Sequence, residues 1–372
     1  MSCKNPSKLQ KGHTPKNCYL DNNTRRIWQG IQAVTNYKRN TNGTETWDNT
    51  LPDNLNSFYA RINRLNRDIP SKSPCNPEET SLQVTHTQVL RALQQVNPRK
   101  AAGPDGVAPR VLKACAEQLA GVYTDIFNRS LTLETVPQSF KSSVIVPVAL
   151  TSVAMKCLEK LVLQSINTVV SDSVDPLQFA YRSNRSVDDA VALALHSTLE
   201  HLDKNRTYVR MLFLDYSSAF NTIRPMKLIV KLTDLGVPTP TCNWILDFLT
   251  DRPQVVRMGN KVSGKLTIST GTPQGCCLSP KLFFLYTHDC VSTDNNNLII
   301  KYADDTTVLG FIQGGKESSY REQGAVRDRD ASQPTTGGGQ RMPSAAGTSE
   351  AHEQFTNSWV QYSSTAVVGY VK

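Results

Sequence analysis

Residues 299–311 read IIKYADDTTVLGF, and this stretch decides the fold. Apolar and β-branched residues stand on both sides of Asp304 and Asp305, and a charged break between two such runs predicts a hairpin of two strands. A second run, YVRMLFLD at residues 208–215, has the same character and ends on Asp215. Three carboxylates therefore stand at the tips of apolar strands. Like charges on rigid backbone are costly unless a cation neutralises them. Hard divalent ions such as Mg²⁺ take oxygen ligands of this kind, and a pair of them suits phosphoryl or nucleotidyl transfer. Taken singly, Asp-Asp is equally compatible with a polar turn, and Asp215 with a helix cap.

Outward from these strands the pattern is mixed. Pro109 opens a predicted helix running to about Leu131, with Cys115, Leu119, Val122 and Ile126 on one stripe. VIVPV at residues 144–148 reads as a buried strand, and a helix is expected over 153–169. Ser186 and Asp189 form a capping box for a helix ending near Lys204, with Val191, Leu195, Leu199 and Leu202 expected inward. A helix from Pro225 places Leu228, Ile229, Leu232 and Leu235 together and stops at Gly236. Strands are expected at 254–258 and 265–269, and a helix from Ser279 and Pro280. The class is α+β, a mixed or antiparallel sheet with helices on one face.

The 372 residues carry a formal net charge of +9 with 39% hydrophobic and 20% charged residues, a globular composition for which nucleic acid is the first anionic partner to consider. No run of about 18 apolar residues is present, so a membrane span is not expected. The opening MSCKNPSKLQKGH lacks the apolar core of a secretory signal. Nine cysteines without a CxxC pair suit neither a disulfide framework nor a zinc site. A reduced intracellular protein of the cytoplasm or nucleus is the expectation. Residues 1–80 read as a polar extension and 81–312 as the folded body. Residues 313–372 lack Leu and Ile and hold eight of the 20 glycines, so they are expected to be a disordered tail.

Three motifs occur in order: FLDYSSAF at 213–220, GTPQGCCLSP at 271–280 and YADD at 302–305. Together with RKAAGPDGVAPRVLKACAEQL, VPQSFKSSVIVPV and DPLQFAYRSNRSVDDAV upstream, the chain resembles the reverse transcriptases of non-LTR (LINE-type) retrotransposons over about residues 82–311. The resemblance implies truncated right-hand polymerase fingers and palm, two Mg²⁺ ions held by Asp215, Asp304 and Asp305, and an RNA template, DNA primer and dNTPs as partners. No protein partner is implied. It makes Phe220 the ring that excludes a ribose 2′-hydroxyl and sets Gln274 and Gly275 along the incoming nucleotide. It places Gln178, Phe179, Tyr181 and Arg182, with Arg99 and Lys100, near the template. The alternative is a degenerate fragment that binds nucleic acid without polymerising.

Departures from the family pattern are expected to matter. Val148 runs straight into ALTS, where the family has a basic loop and a return strand. Lys281 replaces an apolar residue. GAVRDRDASQ follows YREQ, where the family continues with a helix and a basic hairpin.

Overall fold

The hairpin expected at residues 299–311 is present, and it sits in the second of two sheets. The computed structural model describes residues 50–314 and 363–371, apart from 66–67, 76–77, 147, 171–173, 217 and 293. The first half contains α1 (Leu51–Tyr59), α2 (His86–Gln94), α3 (Pro109–Ala114), α4 (Ala116–Thr132), α5 (Gln138–Lys141), β1 (Ser143–Val146), β2 (Val148–Thr151) and α6 (Val153–Val169). Next come α7 (Val187–Leu202), β3 (Thr207–Tyr216), α8 (Pro225–Asp234) and α9 (Thr239–Leu249). Then β4 (Arg252–Met258), β5 (Lys261–Val262), β6 (Leu266–Ile268), α10 (Ser279–Tyr286), β7 (Asn297–Tyr302), β8 (Asp305–Gln313) and β9 (Ser363–Val371) complete the order.

One sheet runs β2-β1-β4-β5, with β6 also on β4. It is mixed, because β1 and β4 are parallel. The other runs β7-β8-β3-β9 and is antiparallel throughout. Its β3 strand places Val209 against Ala190, Phe179, Ile300 and Leu309, which seats α7 over one face. Leu212, Leu214, Ile299 and Val308 form a separate buried cluster, as the strand period of two requires. The main core is helical, with Phe127, Trp244, Phe248 and Phe284 fully buried. The α9 helix, which no sequence pattern predicted, is buried nearly all round, with Cys242, Trp244, Ile245, Leu246, Phe248 and Leu249 in the core and Thr241 and Asn243 buried beside them.

Several expectations are corrected. The 109–131 helix breaks at Cys115, so Ala116, Ala120, Phe127 and Leu131 point inward, while Val122 and Ile126 are exposed. The capping box at Ser186 is formed, but Val191, Leu195 and Leu199 lie on the open side. Ala190 and Thr198 are the buried residues of α7, and Leu193 and Ala194 pack on the sheet cluster beneath. The face turned to the sheet is thus the Ala190, Leu193, Ala194 and Leu202 side of the helix.

VIVPV is not one strand. Val146 pairs with Val148 and Ser143 with Thr151, so β2 supplies the return strand that was expected to be absent. What the chain lacks there is the basic loop.

Elements also lie on either side of residues 81–312. Within the polar extension, α1 docks on β4 and β5. Asn56 Nδ2 donates to Gly264 O (2.8 Å) and Ser263 Oγ (3.0 Å), and its Oδ1 accepts from Gln254 Nε2. Further on, Asp68 takes both arms of the Arg224 guanidinium at 2.6 and 2.9 Å. These are polar contacts, so the hydrophobic pattern could not show them. Within the expected tail, residues 363–371 pair along β3 from Val209↔Val371 to Tyr216↔Ser363. SSTAVVGYV needs no Leu or Ile to be a strand, because Val, Thr and Tyr favour extended backbone. Residues 1–49 and 315–362, the rest of both segments, lie outside the described residues. Among the described residues no helix is long and apolar enough to cross a membrane, and the seven described cysteines are all free.

Candidate active site

Strand register brings the three aspartates together across 89 residues of sequence. Leu214 pairs with Thr306, so the next residue on each strand end is Asp215 on β3 and Asp305 on β8. Tyr302 pairs with Asp305, leaving Ala303 and Asp304 as a two-residue turn. The Asp305 carboxyl is held above the usual carboxylate range, first by partial burial and then by the charges of Asp304 and Asp215. Those repulsions are the electrostatic signature of a shared anionic spot.

Among the described residues no group of three or more His, Cys, Asp or Glu is closed enough to grip a metal ion by itself. The donor set nevertheless fits Mg²⁺, which takes one or two carboxylates and fills its remaining positions with water and substrate phosphates. It does not fit a fully protein-coordinated ion.

The PQG turn reaches the same segment from the other side. Thr272 N donates to Phe220 O (2.8 Å) and Gly271 N to Ile223 O (2.7 Å). Gly271 has φ +65°, and a Cβ there would stand 2.5 Å from Asn221 Cα. Only glycine permits this approach. Phe220 packs on Phe283 with ring centroids 4.8 Å apart. Gln274 and Gly275 are exposed, and a Cβ on Gly275 would be 3.2 Å from Ala149 O on β2. An open cavity beside Gln274 is bordered by Tyr59, Ala149, Asn221 and Thr272, so α1 and the β1–β2 hairpin both contribute to its wall.

Behind the turn stands Glu159 of α6, completely buried. Its Oε2 accepts from Cys277 N (2.5 Å) and Leu278 N (3.0 Å), the open amides just before α10. Burial raises its pKa, against the lowering effect of those bonds. The charges of Lys160, Lys156 and Lys100 act on the Cys277 thiol in the lowering direction. The thiol itself is held above its ordinary range by burial and by Glu159. Sequence reasoning missed Glu159. The available signal was a lone acid, followed by Lys160, within the otherwise apolar CLEKLVL.

The residues expected near the template divide. Arg99 and Lys100 lie on an exposed turn. Tyr181 is exposed, and its phenol is raised by burial of part of the ring and by the charge of Asp304. Gln178 and Phe179 are both buried, at 0% and 3% exposure. Phe179 belongs to the core under α7. Arg182 donates to the carbonyls of Asp175, Pro176 and Gln178 and braces the loop. Lys281, unexpected at its position, is buried with its ammonium 4.8 Å from the Phe284 ring centroid.

Residues 141–314 match the family model described as reverse transcriptase (RNA-dependent DNA polymerase). Among curated relatives, the "Probable RNA-directed DNA polymerase from transposon X-element" of Drosophila melanogaster is 25% identical over 267 residues, 66% of this chain and 28% of the relative. The "RNA-directed DNA polymerase from mobile element jockey" of the same fly is 25% identical over 293 residues, 72% and 32% of the two chains. The "Retrovirus-related Pol polyprotein from type-1 retrotransposable element R1" of Bradysia coprophila is 22% identical over 303 residues, 76% and 29%. This chain spans about a third or less of the length of each.

Proposed function

We propose that this chain, whose residues 141–314 form a reverse transcriptase domain related to those of non-LTR retrotransposons, is the fingers and palm of an RNA-directed DNA polymerase. The β7-β8-β3 sheet is the palm, and β1, β2 and the segments packed on them are the fingers. Asp215, Asp304 and Asp305 would hold two Mg²⁺ ions. When bound, the ions lower the pKa of the primer 3′-hydroxyl and stabilise the pyrophosphate that leaves.

The chain's own residues do the rest. The strand ends fix where the carboxylates stand, so the reacting oxygens meet them without reorganisation. Phe220, anchored by Phe283 and by its carbonyl bond to Thr272, closes the space a ribose 2′-hydroxyl would need, which selects dNTPs. Gly275 lets the nucleotide approach the backbone, and the Gln274 amide offers one donor and one acceptor. With a basic loop missing between β1 and β2, Lys100, Lys156 and Lys160 supply the positive field for phosphates. Tyr181 presents its ring to the primer–template.

The observation that carries this reading is the strand register that sets Asp215 at the end of β3 beside Asp305 at the start of β8, with Asp304 in the adjoining turn. Primer extension on an RNA template with dNTPs and Mg²⁺ tests it. Incorporation is expected and should fall by about a thousandfold or more in Asp215→Ala and Asp304→Ala. Salt-sensitive RNA binding with no incorporation by the wild-type chain would overturn the polymerase reading in favour of a binding fragment.

A further inference from the structure

We propose that Gln178 is a positioning residue for the acidic site: its side-chain amide holds the turn that carries Asp304 and aims Asp305. The inference rests on reading these aspartates as a polymerase site. The turn needs an external hold. Its first residue, Ala303, has φ +57°, a left-handed conformation favoured by glycine rather than alanine. The Ala303 N–H and C=O also lie outside the β7–β8 register, which ends at Tyr302↔Asp305.

Gln178 meets both groups. Its Oε1 accepts from Ala303 N at 3.0 Å, and its Nε2 donates to Ala303 O at 3.1 Å. Oε1 also accepts from Ala180 N at 3.0 Å. Two N–H groups converge on one end of the amide, so the reversed orientation would set donor against donor. The clamp has a rigid base. Phe179 N donates to Lys301 O and Lys301 N to Leu177 O, both at 2.9 Å, which adds a parallel bridge to β7. Lys301 Nζ stands 2.6 Å from Asp175 Oδ2, both side chains buried, and it donates to Thr287 O and Cys290 O. A residue 125 positions away in sequence is thus built into the turn two or fewer residues from the reacting carboxylates, and a 1 Å error in such a place can cost about a hundredfold in rate.

The test uses the full chain with Gln178→Met, which keeps the volume and loses every hydrogen bond, and Gln178→Glu, which keeps the acceptor and loses the donor. Three quantities are read: amide hydrogen exchange at residues 303–305, the midpoint of a Mn²⁺ titration, and kcat, KM for dNTP and RNA affinity in primer extension. For Gln178→Met the expected outcome is exchange at Ala303 faster by tenfold or more and a Mn²⁺ midpoint raised about tenfold. In the same variant kcat should fall ten- to a hundredfold, with KM and RNA affinity within about twofold. Gln178→Glu should fall between, and it carries the test if the Met variant does not fold. Unchanged exchange and Mn²⁺ midpoint in a folded variant would overturn the proposal. So would intact kcat with weakened RNA binding, which would make Gln178 a template contact after all. If the wild-type chain extends no primer, the polymerase reading fails, while exchange and Mn²⁺ binding still decide the clamp.

Discussion

Two turns adjoin the 214–223 segment, and each is held in part by a fully buried polar side chain, Gln178 for one and Glu159 for the other, yet the two side chains differ in kind. The YADD turn is held by a neutral amide, the PQG turn by a carboxylate. The backbone explains the choice. Ala303 offers both an N–H and a C=O, which only a group that donates and accepts can satisfy together. Cys277 and Leu278, at the start of α10, offer two N–H groups and no carbonyl, and a carboxylate at a helix N-terminus suits that end. One hold is therefore indifferent to pH, and the other is coupled to it.

The comparison breaks most severely at the base of the YADD clamp. Lys301→Met leaves Asp175 buried without its ion-pair partner, a loss that typically costs about 3–5 kcal/mol. Urea unfolding should show that loss, and adding Asp175→Asn should recover part of it. A Lys301→Met protein as stable as wild type would mean that the clamp's base is not this pair. On the PQG side the corresponding break is Gly271→Ala. The new Cβ would overlap Asn221 backbone, and strain at φ +65° adds to the overlap, for roughly 2–5 kcal/mol in all. The same measurement should show it, with Phe220 and the PQG turn pulled apart.

How much of this was legible follows from the range of the interactions involved. β3, the β7–β8 hairpin, the Ser186 cap and the Leu228 stripe are set by neighbours within a few residues, and local pattern shows them. Asp215, Asp304 and Asp305 were legible because carboxylates at apolar strand ends are costly wherever the chain puts them. Gln178 was not. Nothing in DPLQFAYR distinguishes a glutamine aimed at a template from one turned inward, because its partner is Ala303. Asn56 and Asp68 were missed for the same reason, their partners being Gly264 and Arg224. The strand at 363–371 is not legible from the content of Leu and Ile, because Val and Thr suffice in a strand.

A subtler contrast between the turns is their response to pH. Burial sets the Glu159 pKa above its unfolded value, so the folded state binds the proton more tightly. Its contribution to stability is largest below the ordinary carboxylate range and declines as pH rises toward the folded value. Glu159→Gln keeps an oxygen for the Cys277 and Leu278 amides and removes the titration. Thermal melts from pH 5 to 8 should therefore show the Gln variant gaining on wild type as pH rises, whereas Gln178→Met should differ from wild type by the same amount throughout. A Gln variant that loses ground to wild type as pH rises would contradict the assignment for Glu159.

The smallest effect concerns the outer wall of the YADD side. Val191, Leu195 and Leu199 are 60, 56 and 53% exposed on α7, although their spacing reads as a core stripe. If that stripe were inward, Leu195→Lys would bury a charge and remove packing, at a cost of several kcal/mol. With Ala190, Leu193 and Ala194 facing the sheet instead, each single substitution to Lys at 191, 195 or 199 should change stability by less than about 0.5 kcal/mol. Ala190→Leu, which forces volume into the helix–sheet contact, should cost about 1–3 kcal/mol. The reversed ranking in urea unfolding would return the leucine stripe to the core. It would also separate Val209 from the face that α7 covers, leaving Phe179, and through it the Gln178 clamp, without the packing that now supports them.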